Sequence, residues 1–315
     1  MNKKSYVFAT GGLGNQLFQV AAALESDSQE LRVIPNISNA RKNSSGQLDI
    51  EDFNLGEQVI VDHEVKLWKL SQKAINYTLR YFAGKRSNQS PDLYEILVLF
   101  AANFLLSLNL RSRVNIIANH GLGFDPQTKK VHGKNFFIGY FQSYRVLDDL
   151  KAKKIMLGMT LTSATKFVDE FKDLASLEKP LVVHVRMGDY KDSDLLGVLP
   201  KSYYTEAINL LWESGPYKKI WLFSDEPEMA LGQIPENLRE YLRVIPDFKN
   251  STSITFEVMR LGYGYVIANS TFSWWAASLS HNLHGKIASP DIWFAKSTSP
   301  EQILSPEWIK VSAWK

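Results

Sequence analysis

Three polar segments in the second half of the chain each follow an apolar run, and their side chains suit a phosphorylated ligand. They are His184-Val-Arg186-Met-Gly-Asp189, Ser224-Asp225 and Asn269-Ser-Thr-Phe-Ser273. A guanidinium is always charged, and its planar fork matches the oxygens of a phosphate. Hydroxyl groups and free backbone N–H groups at the start of a helix also bind phosphate. An acid at a neighbouring strand end suits a ribose or a base, so the three segments together predict a nucleotide site.

Each of these residues also has an ordinary structural interpretation. Arg186 alone is typical of a surface salt bridge, and His184 alone of a hydrogen-bonded core histidine. Ser270 or Thr271 alone is typical of a helix N-cap. Alternate side chains of a strand share a face, so His184 and Arg186 point the same way. That pairing, followed by Gly188-Asp189, favours a site over two unrelated structural residues.

A glycine cluster near the start of the chain is the fourth candidate. Gly11-Gly-Leu-Gly-Asn-Gln16 lies between a predicted strand and a predicted helix, where glycines allow a tight turn that exposes N–H groups. A dinucleotide fingerprint needs a third glycine, where this chain has Leu17, and an acid about 20 residues later. The strand ending near Ile34 supplies no such acid, which disfavours a nicotinamide-dependent oxidoreductase. A plain strand-to-helix turn remains the structural alternative.

The composition disfavours several other kinds of chemistry. The chain has no cysteine, so it has no disulfide, thiolate metal site or cysteine nucleophile, and its six histidines are scattered. Asp192-Ser-Asp194 offers a carboxylate pair for Mg²⁺, but it lies in a polar stretch that favours a solvated loop. We therefore predict neither a metal site nor a cofactor. A net charge of +3 is too small to indicate a nucleic-acid partner.

The elements around these segments alternate between short apolar runs and helical patterns, which predicts parallel sheets in an α/β fold. Ligands bind at the carboxyl ends of such strands. The predicted strands are Tyr6–Thr10, Lys134–Ser143, Leu181–Arg186, Lys219–Ser224, Leu242–Ile245, Tyr265–Ala268 and Lys286–Ser289. The predicted helices are Gln16–Glu25, Thr165–Leu177, Ser202–Ser214, Ser253–Leu261 and Phe272–Ser280, with Gly11–Asn15 as a loop.

Length and charge indicate two domains. A chain of 315 residues suits two cores, and residues 1–158 carry a net +6 whereas residues 159–315 carry −3. The predicted domains are therefore 1–158 and 159–315. The first residues lack the long apolar run of a signal peptide, so we expect a cytoplasmic protein.

The segment Leu93–Leu110 is apolar at 14 of its 18 positions and is flanked by Lys85, Arg86, Arg111 and Arg113. It is short for a membrane span and contains four polar residues. A buried or interfacial helix is the favoured interpretation. The alternative is a surface helix that rests on a membrane, which would matter if the substrate were lipid-linked.

Five blocks in this order resemble the α-1,2-fucosyltransferases of glycosyltransferase family 11. The first is Gly11-Gly-Leu-Gly-Asn-Gln-Leu-Phe-Gln19, and Gly139-Tyr-Phe-Gln-Ser143 follows. His184-Val-Arg-Met-Gly-Asp-Tyr190 is similar to the family's His-Val-Arg-Arg-Gly-Asp-Tyr. Phe223-Ser-Asp225 and Asn269-Ser-Thr-Phe-Ser-Trp-Trp-Ala-Ala277 match two further blocks. Together the blocks span residues 11–277, nearly the whole chain.

The resemblance implies a GT-B-like architecture, in which two Rossmann-like domains with parallel sheets face a cleft. It implies inverting, metal-independent transfer of L-fucose from GDP-β-L-fucose to the 2-hydroxyl of a galactose. The acceptor would be a free or lipid-linked glycan, such as a repeat unit of a bacterial surface polysaccharide. The enzyme would be cytoplasmic, with peripheral contact at the inner membrane if the Leu93–Leu110 helix rests there. The first domain would serve the acceptor and the second would bind the donor.

The matching blocks also imply roles for individual residues. Arg186 would bind the diphosphate, and Asp189 would be either the catalytic base or a brace for the Arg186 loop. The implied nucleotide and phosphate contacts are His184, Asp225, Asn269, Ser270, Thr271 and Ser273. Gly12, Gly14, Asn15 and Gln16 would reach the substrate from the first domain.

Two positions depart from the family pattern. Met187 replaces the family's second arginine, and Glu226 replaces an aspartate. Because position 187 of a strand faces away from 186, the loss of that arginine is tolerable. Transfer to a different hydroxyl or to a peptide, and a non-catalytic nucleotide- or sugar-binding protein, remain the alternatives.

Overall fold

The computed structural model describes residues 4–26, 29–40, 46–83, 92–119, 121, 123, 134–163, 166–246, 248, 251–282, 284–295 and 302–314. The chain divides into two compact units, the first ending at Thr160 and the second beginning at Leu161. The charge and length arguments predict this division at 158/159, two residues earlier.

The first unit is built on a parallel five-stranded sheet. Its strands are β1 (Lys4–Gly11), β2 (Glu30–Ala40), β4 (Val59–Val61), β5 (Val114–Ala118) and β6 (Lys134–Ile138), with the two-residue β3 (Phe53–Asn54) outside the sheet. Its helices are α1 (Leu13–Leu24), α2 (Lys69–Ala83), α3 (Leu93–Asn109) and α4 (Leu150–Leu157). The strand order is β4-β2-β1-β6-β5, and each pairing is parallel.

The two-residue β7 (Thr160–Leu161) spans the boundary between the units, and the second unit contains a parallel six-stranded sheet. Its strands are β8 (Leu181–Val185), β9 (Ile220–Ser224), β10 (Leu242–Val244), β11 (Gly264–Val266), β12 (Lys286–Pro290) and β13 (Ile309–Val311). Its helices are α5 (Lys166–Glu178), α6 (Lys201–Ser214), α7 (Pro227–Ala230), α8 (Thr252–Met259) and α9 (Thr271–Ser278). The order is β10-β9-β8-β11-β12-β13, again with parallel pairs.

Both sheets are of the Rossmann type because the strand order reverses beside the first strand. In the second unit the chain passes from β8 to β9 and β10 on one side, then crosses to β11 on the other. The order is the one found in doubly wound dinucleotide-binding domains. In the first unit the order also reverses at β1, which lies between β2 and β6, but the chain passes through β5 at the far edge before it reaches β6. The predicted α/β class, with two Rossmann-like domains built on parallel sheets, is confirmed.

The central strands of the second unit form because their residues are apolar on both faces. All five residues of β8 are buried, as a strand covered by helices on both sides requires. Leu181, Val183 and Val185 pack on one face in a core that includes Tyr203 and Tyr204 of α6. Each predicted strand of this unit is found within about two residues of its predicted ends. The expected first residue of α5, Thr165, lies outside the described residues.

In the first unit, the predicted loop Gly11–Asn15 is too long, and the burial favoured for Leu93–Leu110 is not found. Helix α1 begins at Leu13, so Leu13, Gly14 and Asn15 belong to its first turn rather than to the loop. The apolar helix α3 is not buried, since only Glu95, Ala102 and Leu106 along it are inaccessible. No helix within the described residues is long and apolar enough to cross a membrane.

Candidate active site

The candidate site of the second unit lies where three adjacent strands end. Strand β8 pairs with β9, with Val185 opposite Ser224, and on its other side with β11, with Val183 opposite Val266. Because the strands are parallel, the segments that follow them emerge at one edge of the sheet. That edge contains the point of strand-order reversal, where such folds hold their ligands. The structure therefore brings together the three predicted segments.

Arg186 is held at this edge by two carboxylates. Its Nε and Nη2 atoms donate to Oδ1 of Asp189 at 3.0 and 2.7 Å, and its Nη1 lies 3.3 Å from Oδ2 of Asp225. The guanidinium also lies over the ring of Tyr190, with Cζ 5.6 Å from the centroid. A guanidinium has five N–H groups. Two of them have no partner within the described residues and are available for an oxyanion.

Asp225 shapes the turn that carries Arg186. Its two carboxylate oxygens accept the backbone N–H groups of Met187 and Gly188, each at 2.9 Å. A Cβ atom on Gly188 would lie only 2.6 Å from Oδ2 of Asp225, so this close approach requires glycine. The carboxylate is therefore committed to the turn and to Arg186, which the sequence pattern does not reveal.

Asn269 and Tyr190 tie the neighbouring loops to the same edge. Nδ2 of Asn269 donates to the carbonyl of Leu196 at 2.7 Å and to that of Trp293 at 3.2 Å. The hydroxyl of Tyr190 donates to the carbonyl of Asn269 at 3.2 Å. Burial is the main cause that raises the pKa of Tyr190 to about 12, so the phenol keeps its proton. Tyr190 and Trp293 are contributors that the predicted set of site residues omitted.

Helix α9 begins at this edge without a side-chain cap. Ser270 occupies the N-cap position, but its hydroxyl accepts no N–H group from the first turn. The hydroxyl of Ser273 instead donates back to the carbonyl of Ser270 at 3.2 Å, and Thr271 is partly exposed. The interpretation of these residues as an ordinary N-cap is therefore wrong. The first-turn N–H groups receive no side-chain oxygen from Ser270, as an anion-binding helix start requires.

His184 lies beneath the site as a neutral group. Its ring is 6.2 Å from that of Phe272, and its Nδ1 is buried with no hydrogen-bond partner in the described part of the chain. Burial, reinforced by the charge of Arg186, lowers the pKa of His184 to about 3. The interpretation of His184 as a hydrogen-bonded core histidine therefore fails at Nδ1. An uncharged imidazole below Arg186 adds no charge to the site.

Met187 belongs to the core. It is buried with Val183, Val185 and Tyr204 on the face of the sheet opposite to Arg186. The side chain that replaces the family's second arginine therefore points away from the guanidinium, as the alternation of the strand predicts.

In the first unit, the glycine motif forms the turn from β1 into α1. Gly11 has a φ of +72°, in the left-handed region, and a Cβ atom there would lie 2.4 Å from Nδ2 of Asn15. Gly12 occupies the N-cap position of α1. Gln16 is buried, and its amide donates to the carbonyl of Gly11 at 3.0 Å and accepts the N–H group of Ile50 at 3.1 Å. Gln16 thus holds the turn from inside.

A second family block meets the glycine turn at the same sheet edge. Gln19 accepts the N–H group of Thr10 at 3.0 Å and donates to the carbonyl of Gly139 at 2.9 Å. Gln142 donates to Oδ1 of Asn15 at 2.9 Å. Strands β1 and β6 are neighbours, so their carboxyl ends join the two blocks across 120 residues or more. Gln19 and Gln142 are further site-building residues that the predicted set omitted.

The carboxylates of the 190s loop do not gather as metal ligands. Asp192 and Asp194 are exposed, and the hydroxyl of Ser193 accepts the N–H group of Leu196 at 3.1 Å. Across the described residues, no group of three or more His, Cys, Asp or Glu side chains is placed to hold an ion.

Two Rossmann-type units, one of them with an arginine and an uncapped helix start at its strand-order reversal, are features of a GT-B-like glycosyltransferase. The family described as "Glycosyl transferase family 11" matches residues 124–312, which is more than half of the chain. The chain belongs to this family and is a glycosyltransferase.

Two Escherichia coli proteins are similar over almost their whole length. An O-antigen biosynthesis glycosyltransferase, WbnK, is 24% identical over 97% of this chain and 100% of its own length. An alpha-1,2-colitosyltransferase is 24% identical over 96% of each chain.

Two of the solved structures with a similar chain path are those of POFUT1 and NodZ. POFUT1 in complex with GDP has a TM-score of 0.49 at 16% identity, covering 92% of this chain and 99% of that one. The fucosyltransferase NodZ from Bradyrhizobium has a TM-score of 0.43 at 13% identity, covering 88% and 91%.

Proposed function

We propose that this glycosyltransferase moves L-fucose from GDP-β-L-fucose to the 2-hydroxyl of a galactose, with inversion at the sugar carbon. The acceptor we propose is a glycan of a bacterial surface polysaccharide, and the compartment is the cytoplasm. The resemblance of five sequence blocks to α-1,2-fucosyltransferases supports the donor and the linkage. The names of the two relatives, one for O-antigen biosynthesis and one for an α-1,2 transfer, support the product class.

The observation that carries the proposal is that Arg186 and the uncapped start of α9 follow adjacent strands at the same edge of the sheet. The diphosphate would lie on the two free N–H groups of the guanidinium and on the first-turn N–H groups from Thr271 to Ser273. Asp225 would act by fixing the Arg186 turn, and Asn269 by fixing the loops around it. These fixed donors would meet negative charge as it grows on the leaving group.

The proposed step is a single displacement. The oxygen of the acceptor hydroxyl bonds to C1 of fucose while the bond from C1 to the β-phosphate oxygen breaks. The electron pair of that bond leaves with GDP, and the hydroxyl proton passes to a base. Donors that are preorganised toward the leaving phosphate are typically the largest catalytic term. No metal or cofactor enters this proposal.

Asp189 fits the role of a brace better than that of a base. Its Oδ1 atom already accepts two N–H groups of Arg186, which fixes the guanidinium plane. Asp189→Asn separates the roles, because the amide oxygen still accepts a hydrogen bond whereas the amide is no base. A brace predicts a loss of about tenfold in kcat, whereas loss of a base predicts about 10²–10⁴. A larger loss that leaves the pH profile without its acidic limb would identify Asp189 as the base.

In the first unit we propose that Gly12, Gly14 and Asn15 present the glycine turn to the substrate. Gln16 supports them from below, since its amide is already bonded on both sides. His184 supports the donor site as a neutral group under Arg186.

The test is GDP release from GDP-β-L-fucose by the purified protein, with a panel of β-galactosides and with or without EDTA. Release that requires the acceptor and survives EDTA is expected. Arg186→Lys should lower kcat/KM by about 10²–10³, because lysine keeps the charge but loses the fork. The control is Arg243→Lys in the same unit, where Arg243 pairs with Glu178 at 2.5 Å and lies opposite Trp221 near the start of β9. Equal activity of the two variants would contradict the proposed role.

One observation supports GDP-colitose as a second candidate donor. The colitosyltransferase is as similar to this chain as the O-antigen enzyme is. The same assay with GDP-colitose decides between the donors by the ratio of the two kcat/KM values. GDP binding without turnover for either donor would instead indicate a non-catalytic nucleotide-binding protein.

A further inference from the structure

The outer face of α3 is apolar from one end of the helix to the other. Its exposed side chains include Leu93, Ile96, Leu97, Phe100, Phe104 and Leu108, with Leu93 exposed by 74% and Phe100 by 69%. The charged residue of the helix, Glu95, is buried on the opposite side. This is the reverse of an ordinary surface helix, which turns its apolar stripe inward.

The apolar face is large enough to be functional. A side chain of this size offers about 150 Å² or more when fully exposed, so the six present on the order of 500 Å². That lies in the upper part of the range for the largest patch on a soluble monomer, and such patches commonly bind something.

Helix α2 extends this face with aromatic and cationic side chains. It packs along α3, where the hydroxyls of Tyr77 and Tyr94 lie 2.6 Å apart and both rings are about half exposed. At the other end of the pair, the N–H group of Trp68 donates to Oδ1 of Asn109 at 2.6 Å, and the Trp68 ring is exposed. Tyrosine and tryptophan side chains suit the boundary between lipid and water.

The charge beside this face is predominantly positive, although the exposed carboxylate of Asp92 caps the start of α3. Lys69, Lys73 and Arg80 are exposed on α2, and Arg111 and Arg113 follow α3, whereas α2 contains no acidic residue. Lys85 and Arg86, which the sequence also places near α3, lie outside the described residues. Two copies of the chain that met through this face would bring these cations against each other, whereas an anionic bilayer attracts them.

We propose that the outer face of the α2–α3 pair binds the surface of an anionic membrane. The row of side chains from Leu93 to Leu108 enters the boundary between headgroups and acyl chains, and the cations of α2 contact the headgroups. The inference goes beyond the proposed transfer reaction and does not depend on it. Such a surface would place the enzyme beside a lipid-linked glycan.

The test is co-sedimentation of the full chain with vesicles of phosphatidylcholine alone or mixed with phosphatidylglycerol. Binding to the mixed vesicles that weakens at high salt is expected. Phe100→Glu/Phe104→Glu should lower the partition coefficient at least about tenfold. Lys69→Gln/Lys73→Gln/Arg80→Gln should lower it by about 10²-fold on mixed vesicles only, at roughly fivefold for each of the three cations.

The matched control is Leu150→Glu/Leu177→Glu, which adds the same charge at side chains exposed by 83% and 68% on other helices. It should bind as the wild type does, and all variants should keep the wild-type thermal midpoint. Equal loss of binding in the control would overturn the proposal, as would equal binding to both vesicle types. A dimer that Phe100→Glu/Phe104→Glu dissociates, without vesicle binding by the wild type, would overturn it in favour of a second copy.

Discussion

Replacing Asp225 with asparagine tests whether one carboxylate organises the Arg186 turn. In the wild type, its oxygens accept the N–H groups of Met187 and Gly188, each at 2.9 Å, and Nη1 of Arg186 lies 3.3 Å away. Asparagine keeps the shape but has a single acceptor oxygen. Its NH₂ group would face either a backbone N–H or the guanidinium, where both partners are donors. The variant therefore loses a charge-assisted hydrogen bond and the ion pair together.

The expected cost follows from those lost contacts. A hydrogen bond to a charged group contributes about 1.5–3 kcal/mol, and the ion pair of a side chain that is 23% exposed adds little because solvent screens it. We expect the free energy of unfolding to fall by about 2 kcal/mol. For a unit of this size the thermal midpoint then falls by about 4–8 °C.

The assay combines guanidinium unfolding, followed by tryptophan fluorescence, with GDP release. Asp225→Asn should lower kcat/KM by about 10² or more, because the guanidinium loses its alignment. Asp291→Asn is the control, since Oδ1 of Asp291 accepts one backbone N–H, from Ala313 at 2.9 Å, and holds no arginine. The control should lose about 1 kcal/mol or less and keep its turnover. Wild-type activity in Asp225→Asn despite the loss of stability would refute the positioning role.

Three further predictions concern buried or strained positions. Because burial keeps the pKa of folded His184 at about 3 while the unfolded value is near 6.5, the unfolded chain binds the proton first as pH falls. Wild-type unfolding free energy should therefore drop from this cause by about 2 kcal/mol between pH 7 and pH 5, and urea titrations should find no such drop in His184→Phe. In the same titrations, Gly46→Ala should lower the free energy of unfolding by about 1 kcal/mol, and Gly11→Ala should lower it by clearly more. Both glycines have a positive φ, but of the two only Gly11 also faces a close side chain. Equal costs would contradict the steric argument. Gln19→Leu should lower the free energy of unfolding by about 2–4 kcal/mol, whereas Gln58→Leu should lower it by less than about 1 kcal/mol. The reason is that the Gln19 side chain bonds two buried backbone groups, whereas the hydrogen bond from the Gln58 side chain to the carbonyl of Leu55 is only partly buried.

The strand ends that carry the site are predictable because parallel strands leave a strong pattern. The runs that become β8 and β9 are apolar at nearly every position and stop at polar or glycine residues. Such runs can be recognised in the sequence without any knowledge of tertiary contacts. The alternation of side chains also places His184, Arg186 and Met187 on the faces that the structure shows.

The supporting contacts are not predictable in the same way. The hydrogen bonds that Asp225 accepts from the N–H groups of Met187 and Gly188 span 38 and 37 residues, and the bond from Gln19 to Gly139 spans 120. They depend on strand order, which a local pattern does not encode. Hydrophobicity favours burial of α3, yet whether an element covers a helix is decided by the rest of the fold. The exposed row along α3 is therefore where the expectation from composition fails.

The central position of β1 has a consequence for synthesis of the chain. One edge of β1 pairs with β2, with Lys4 opposite Glu30, but its other edge pairs with β6, with Ser5 opposite Asn135. At about 5–20 residues per second, a ribosome needs roughly 5–21 s to go from Glu30 in the first partner to Asn135 in the second. During that interval the nascent chain carries an open, apolar strand edge, which is a template for aggregation. Expression of this enzyme should therefore depend on how fast residues 12–138 are translated and on chaperones that shield β1 until then.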